Sequence, residues 1–140
     1  MKFVLETAPI AKTRPRFTTK GRFPVVYDTQ TQKKKMFQVL IRNEMLIQSI
    51  QEPLQGVLKL SVTFYMPIPQ STSKKKKNAL EGTYHSRKPD LDNLIKFLLD
   101  CFNGVLIQDD NCIASIHAEK RYSINPRIEI EIIAKDSTSI

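Results

Sequence analysis

Tryptophan is absent from the sequence, cysteine and histidine occur twice each, and glycine four times. Each scarcity removes a class of protein. Two thiols, Cys101 and Cys112, are too few for a disulfide framework, and neither they nor the lone His85 and His117 have the spacing of a zinc site. Cys101 falls in an apolar run, where cysteine behaves as a small hydrophobe, so both thiols are read as structural. No stretch approaches the roughly 20 apolar residues that cross a bilayer. The opening residues Met1 to Glu6 lack the apolar run of a secretory leader. A soluble, cytoplasmic protein is expected. Aromatics make up 8% of the chain, which suits a core and leaves no stacking platform for single-stranded nucleic acid.

Negative charge is also scarce: 14 acidic residues face 22 basic ones, a net charge of +8. Such a balance points to a polyanionic partner. The distribution is more informative than the total. Residues 1–35 carry nine basic and two acidic side chains, and residues 71–89 carry six and one. Residues 90–111 reverse the sign, with one basic and five acidic. An acidic island therefore sits inside a basic protein, and it can lie near phosphate only if a cation neutralises it.

With 140 residues, 41% of them hydrophobic, the chain suits a single domain, 1–140, with one core. A strand is expected at residues 2–8, then a basic loop from Pro9 to Phe23. Apolar residues at three- and four-residue spacing predict an amphipathic helix from about Thr31 to Gln51, ended by Pro53. Strict alternation predicts a half-buried strand from Val57 to Met66, with Leu58, Leu60, Val62, Phe64 and Met66 on one face. Prolines, a Ser/Thr cluster and the run Lys74–Lys77 predict a flexible basic loop over about 67–89. A second helix is expected from Leu91 to Phe102, opened by Pro89-Asp90 and closed by Asn103-Gly104. Two antiparallel strands, about 113–122 and 127–134, joined at Asn125-Pro126, complete an α+β domain: a small mixed sheet with two main helices.

Singly, each acid of the island has an ordinary explanation. Asp90 is a helix cap, Asp92 favours the helix dipole and pairs with Lys96, and Asp109-Asp110 belong to a turn. As a set they suggest chemistry. Inside a helix, residues two apart point about 200° from one another. At a helix start, Asp90 is extended and Asp92 helical, so the two carboxylates can converge. The short run after Gly104 can return Asp110, with Asp109 beside it, to the same place. Carboxylate oxygens without nitrogen or thiol partners select Mg²⁺ or Mn²⁺. Such a metal on a basic surface suits phosphodiester hydrolysis, with Lys96 as a stabiliser of transition-state charge.

The run Arg87-Lys88-Pro89-Asp90-Leu91-Asp92-Asn93-Leu94-Ile95-Lys96, followed by Asp100, Asn103-Gly104-Val105-Leu106 and Asp109-Asp110, resembles the signature of the RusA-type Holliday junction resolvases. The stretch Ala11-Lys12-Thr13-Arg14-Pro15-Arg16 resembles the opening of many members. The resemblance implies a homodimeric endonuclease that resolves four-way DNA junctions by paired symmetric nicks, using Mg²⁺ with Mn²⁺ as a substitute, in recombination and repair. It implies Asp90, Asp92 and Asp110 as catalytic metal ligands, Asp109 as a weaker candidate, and Lys96 as the catalytic lysine. Asp100 matches a family position but is read as structural. Lys12, Arg14, Arg16, Lys74, Lys75, Lys76, Lys77, Arg87 and Lys88 are the expected DNA contacts. Members often lie in prophages. The residues also admit two other readings: a nuclease for other branched DNA, and a non-catalytic nucleic-acid-binding module.

Overall fold

The computed structural model describes residues 1–19, 21, 25–27 and 29–135. Three helices and a four-stranded mixed sheet make an α+β fold. The sheet holds β1 (Lys2–Leu5), β4 (Val57–Pro67), β5 (Ile113–Ser123) and β6 (Arg127–Lys135), in the order β1-β6-β4-β5. A separate two-stranded ribbon pairs β2 (Arg16–Thr18) with β3 (Val25–Tyr27). The helices are α1 (Thr31–Ile47), α2 (Lys74–Leu80) and α3 (Leu91–Phe102), and a 3-10 turn spans Asp110–Cys112.

Alternation in β4 decides which side of the sheet is covered. Leu58, Leu60, Val62, Phe64 and Met66 are all buried, and β6 adds Ile128, Ile130 and Ile132 on the same side. The helices supply the facing stripes: Phe37, Ile41 and Met45 from α1, and Leu94, Phe97, Leu98, Cys101 and Phe102 from α3. The rings of Phe37 and Phe97 meet edge to face with centroids 5.1 Å apart, locking the two helices together. Each such fully buried side chain contributes about 1.5–3 kcal/mol.

Several sequence expectations need correction. The first strand ends at Leu5, not residue 8. The loop expected from Pro9 to Phe23 includes β2. Helix α1 ends at Ile47, before Pro53 acts: Ser49 takes a left-handed φ of 59° and the Ile50 amide bonds back to the Met45 carbonyl. The loop expected over 67–89 contains α2, capped by the Ser73 hydroxyl accepting from the Lys76 amide at 3.3 Å. Residues 82–85 then run along the outer edge of β5, with Gly82 and His85 amides donating to the Tyr122 and Lys120 carbonyls.

The last two strands are not neighbours. β5 pairs parallel with one edge of β4 and β6 antiparallel with the other. Residues 124–126 therefore carry the chain across the end of β4 instead of closing a hairpin. A parallel pair needs a crossover connection. Here that connection contains α3, and packing α3 on the sheet sets where the acidic island sits.

Candidate active site

The helix start behaves as its residue types dictate. Asp90 is the N-cap of α3 in extended conformation (φ −69°, ψ 143°), and its carbonyl accepts from the Leu94 amide at 3.3 Å. Its carboxylate makes no capping hydrogen bond and is exposed. The most ordinary explanation for an aspartate at this position therefore does not hold. Asp92 lies in the first helical turn, 67% exposed, with its Oδ2 3.7 Å from the Lys96 ammonium. An exposed pair at that distance contributes about 0.3–0.5 kcal/mol, which does not account for the placement of either residue.

Asp109 and Asp110 separate in role. Asp109 Oδ1 accepts from the Asp110 amide at 2.8 Å, capping the 3-10 turn. That bond gives Asp109 a structural task. Asp110 is the exposed first residue of the turn, and the turn packs against α3. Asp90, Asp92 and Asp110 thus come from two adjoining elements. Among the described residues, no three acid, histidine or cysteine side chains already stand close enough to hold a metal ion. The donor chemistry, exposed carboxylate oxygens with no thiol or imidazole beside them, is that of a hard cation such as Mg²⁺.

A basic wall stands beside this acidic helix start. The segment Ala11–Thr13 is bracketed by the buried Gln30, the N-cap residue of α1. Gln30 Nε2 donates to the Ala11 carbonyl at 2.8 Å, and its Oε1 accepts from the Thr13 amide at 3.0 Å. On the other side, the Lys12 amide donates to the Asn93 carbonyl at 2.9 Å. The Lys12 ammonium lies 2.7 Å from Asp100 Oδ2. That pair ties the loop to α3. The result is a cleft of 590 Å³ lined by Lys12, Thr13, Arg14, Pro15, Asp92, Asn93 and Lys96.

The other expected DNA contacts are more scattered. Arg87 and Lys88 are exposed just before Asp90. Lys74 to Lys77 occupy α2, with Lys77 half-buried and the other three exposed. The Arg16 side chain lies outside the described residues. His117 is an exposed strand residue 3.3 Å from Glu119 Oε1. Half-buried His85 packs against Tyr122 with ring centroids 4.6 Å apart and the rings tilted by 53°, and burial is the main cause lowering its pKa. Gln30 carries no sequence signal of its role. An uncharged residue ahead of a helix gives no sign of what its amide brackets from 17 residues away.

The family model described as endodeoxyribonuclease RusA matches residues 6–133. The "Uncharacterized protein YqaN" of Bacillus subtilis (strain 168) is 29% identical over 137 residues, covering 94% of each chain.

Proposed function

Because the chain belongs to the RusA endodeoxyribonuclease family, we propose that it is a Mg²⁺-dependent endonuclease that resolves four-way DNA junctions as a homodimer. The observation that carries this reading is the uncapped, exposed Asp90 carboxylate at a helix start, with Asp92 in the first turn and a basic cleft alongside. A carboxylate kept free where a cap bond was available suits a ligand. Asp90, Asp92 and Asp110 would hold the metal, which when bound would polarise a phosphodiester and activate water. Mn²⁺ would substitute. Asp109 is left to cap its turn. Arg14 and Lys96 would bind phosphate oxygens in the cleft, and Lys96 would stabilise the charge that develops there. A four-way junction presents two equivalent strands, which suits two active sites related by a two-fold axis. The setting would be recombination and repair in the cytoplasm, on a gene of prophage origin. No helix among the described residues is long and apolar enough to cross a membrane.

The test is a labelled synthetic junction with Mg²⁺, run beside flap, fork and duplex substrates. Wild type should nick two strands of like polarity symmetrically and sediment as a dimer. Asp90→Asn and Asp110→Asn should lose at least about a hundredfold in cleavage while binding the junction as well as wild type or better, since each removes a negative charge facing phosphate. A protein that binds junctions but cuts none with either metal is a binding module. Equal cutting of flaps and junctions makes it a broader branched-DNA nuclease.

A further inference from the structure

Lysine 120 breaks the pattern of its strand. In the parallel register, Ala118 stands beside Val62, Lys120 beside Phe64 and Tyr122 beside Met66. Val62, Phe64 and Met66 are the buried, helix-facing residues of β4. Lys120, half-buried, therefore stands on the same side of the sheet as the core, with its ammonium partly shielded from water. A charged group there is costly unless its donors are used.

The ammonium uses them on one short segment. Lys120 Nζ donates to the Arg87 carbonyl at 2.7 Å and to the Pro89 carbonyl at 2.8 Å. The same segment enters from the β5 edge, where the His85 amide donates to the Lys120 carbonyl at 2.9 Å. One residue thus grips the incoming chain first by its backbone and then, a few residues later, by its side chain. Pro89 immediately precedes Asp90. Among the described residues no carboxylate lies within ion-pairing distance of Lys120. Its charge is spent on main-chain carbonyls, each a charge-assisted bond stronger than a neutral one.

We propose that Lys120 is a positioning residue that fixes the direction from which the Asp90 carboxylate enters the metal site. The inference rests on the metal-dependent reading given above. The alternative is a general stabilising clasp or a simple electrostatic influence, and the sign of one measurement separates them. Removing a nearby positive charge reduces its repulsion of a cation, so electrostatics alone makes Mn²⁺ bind tighter. Loss of positioning makes it bind weaker.

The experiment is Mn²⁺ titration of the full chain by calorimetry, with Asp90→Asn marking the site. Lys120→Met should weaken the Asp90-dependent binding at least about tenfold. Lys120→Arg, which keeps charge and donors, should recover most of it. With junction DNA, Lys120→Met should lower kcat while KM stays within about twofold. Binding by Lys120→Met as tight as wild type or tighter overturns the proposal. So does a folded Lys120→Arg no better than Lys120→Met. If the methionine variant does not fold, an arginine variant weakened more than about tenfold overturns it equally. Mn²⁺ binding indifferent to Asp90→Asn overturns this inference together with its premise. A wild type that binds Mn²⁺ through Asp90, with the expected Lys120 effects, yet cuts no branched DNA overturns only the junction reading.

Discussion

Gln30 shows how an uncharged residue can govern a charged surface. Its buried amide satisfies one acceptor and one donor on either side of Lys12, a pairing that holds the backbone leading to Arg14. Gln30→Ala leaves the Ala11 carbonyl and the Thr13 amide without that partner. Two hydrogen bonds at about 0.5–1.5 kcal/mol each give a loss of about 1–3 kcal/mol. Because glutamine is neutral, its removal cannot alter DNA affinity through charge. A reduction in the salt dependence of binding, expected at about one phosphate's worth or a slope change of about 0.9, can come only through the loop. The expected outcome is weaker junction binding and a shallower log–log salt plot with kcat unchanged. An unaltered salt slope would place Arg14 away from the DNA.

At the scale of elements, α2 and α3 are opposites. Helix α3 has an apolar stripe at helical spacing, an acidic first turn and a buried face, all pointing the same way. Helix α2 has lysines at its first positions, where positive charge opposes the macrodipole, and no fully buried residue. Ser73 is its one start signal, and the position three residues on holds Lys76 instead of the Glu or Gln of a capping box. That is why its sequence has the pattern of a loop. The helix changes the prediction for its lysines. Successive residues turn by about 100°, so four in a row cover about 300° of the circumference. They cannot all face one DNA backbone. Replacing Lys74 to Lys77 with Gln should weaken binding to junction and duplex about equally, and should flatten the salt slope by about 2, not about 4. A filter-binding series at several salt concentrations measures both.

At the scale of the molecule, the central strand organises everything. β4 is the long strand with one wholly apolar face, and it takes β5 on one edge and β6 on the other. Its core closes over Cys101, which is fully buried with its thiol pushed up to about 12 by burial. Such a thiol has almost no thiolate at neutral pH and reacts only when the core opens. Cys112 is half-buried, at the end of the 3-10 turn. Thiol labelling under native conditions should therefore modify Cys112 first, with Cys101 following at the rate of global unfolding and accelerating with denaturant. Prompt labelling of Cys101 in buffer would show that α3 detaches by itself.

The sequence by itself determined the strongly periodic elements α1, β4 and α3 within a few residues. It also placed Asp90 at an extended cap and Asp92 in the following turn. Those properties depend on neighbours within a turn or two, where periodicity, capping and charge act directly. Tertiary structure alone decided the rest. The pattern of β5 and β6 is the same whether they pair with each other or straddle β4, because alternation names a face and not a neighbour. The bracket by Gln30 and the grip of Lys120 join residues 17 and 31 or more positions apart. Hydrogen bonds of that kind exist only once the core has brought distant backbone together, so no local pattern records them.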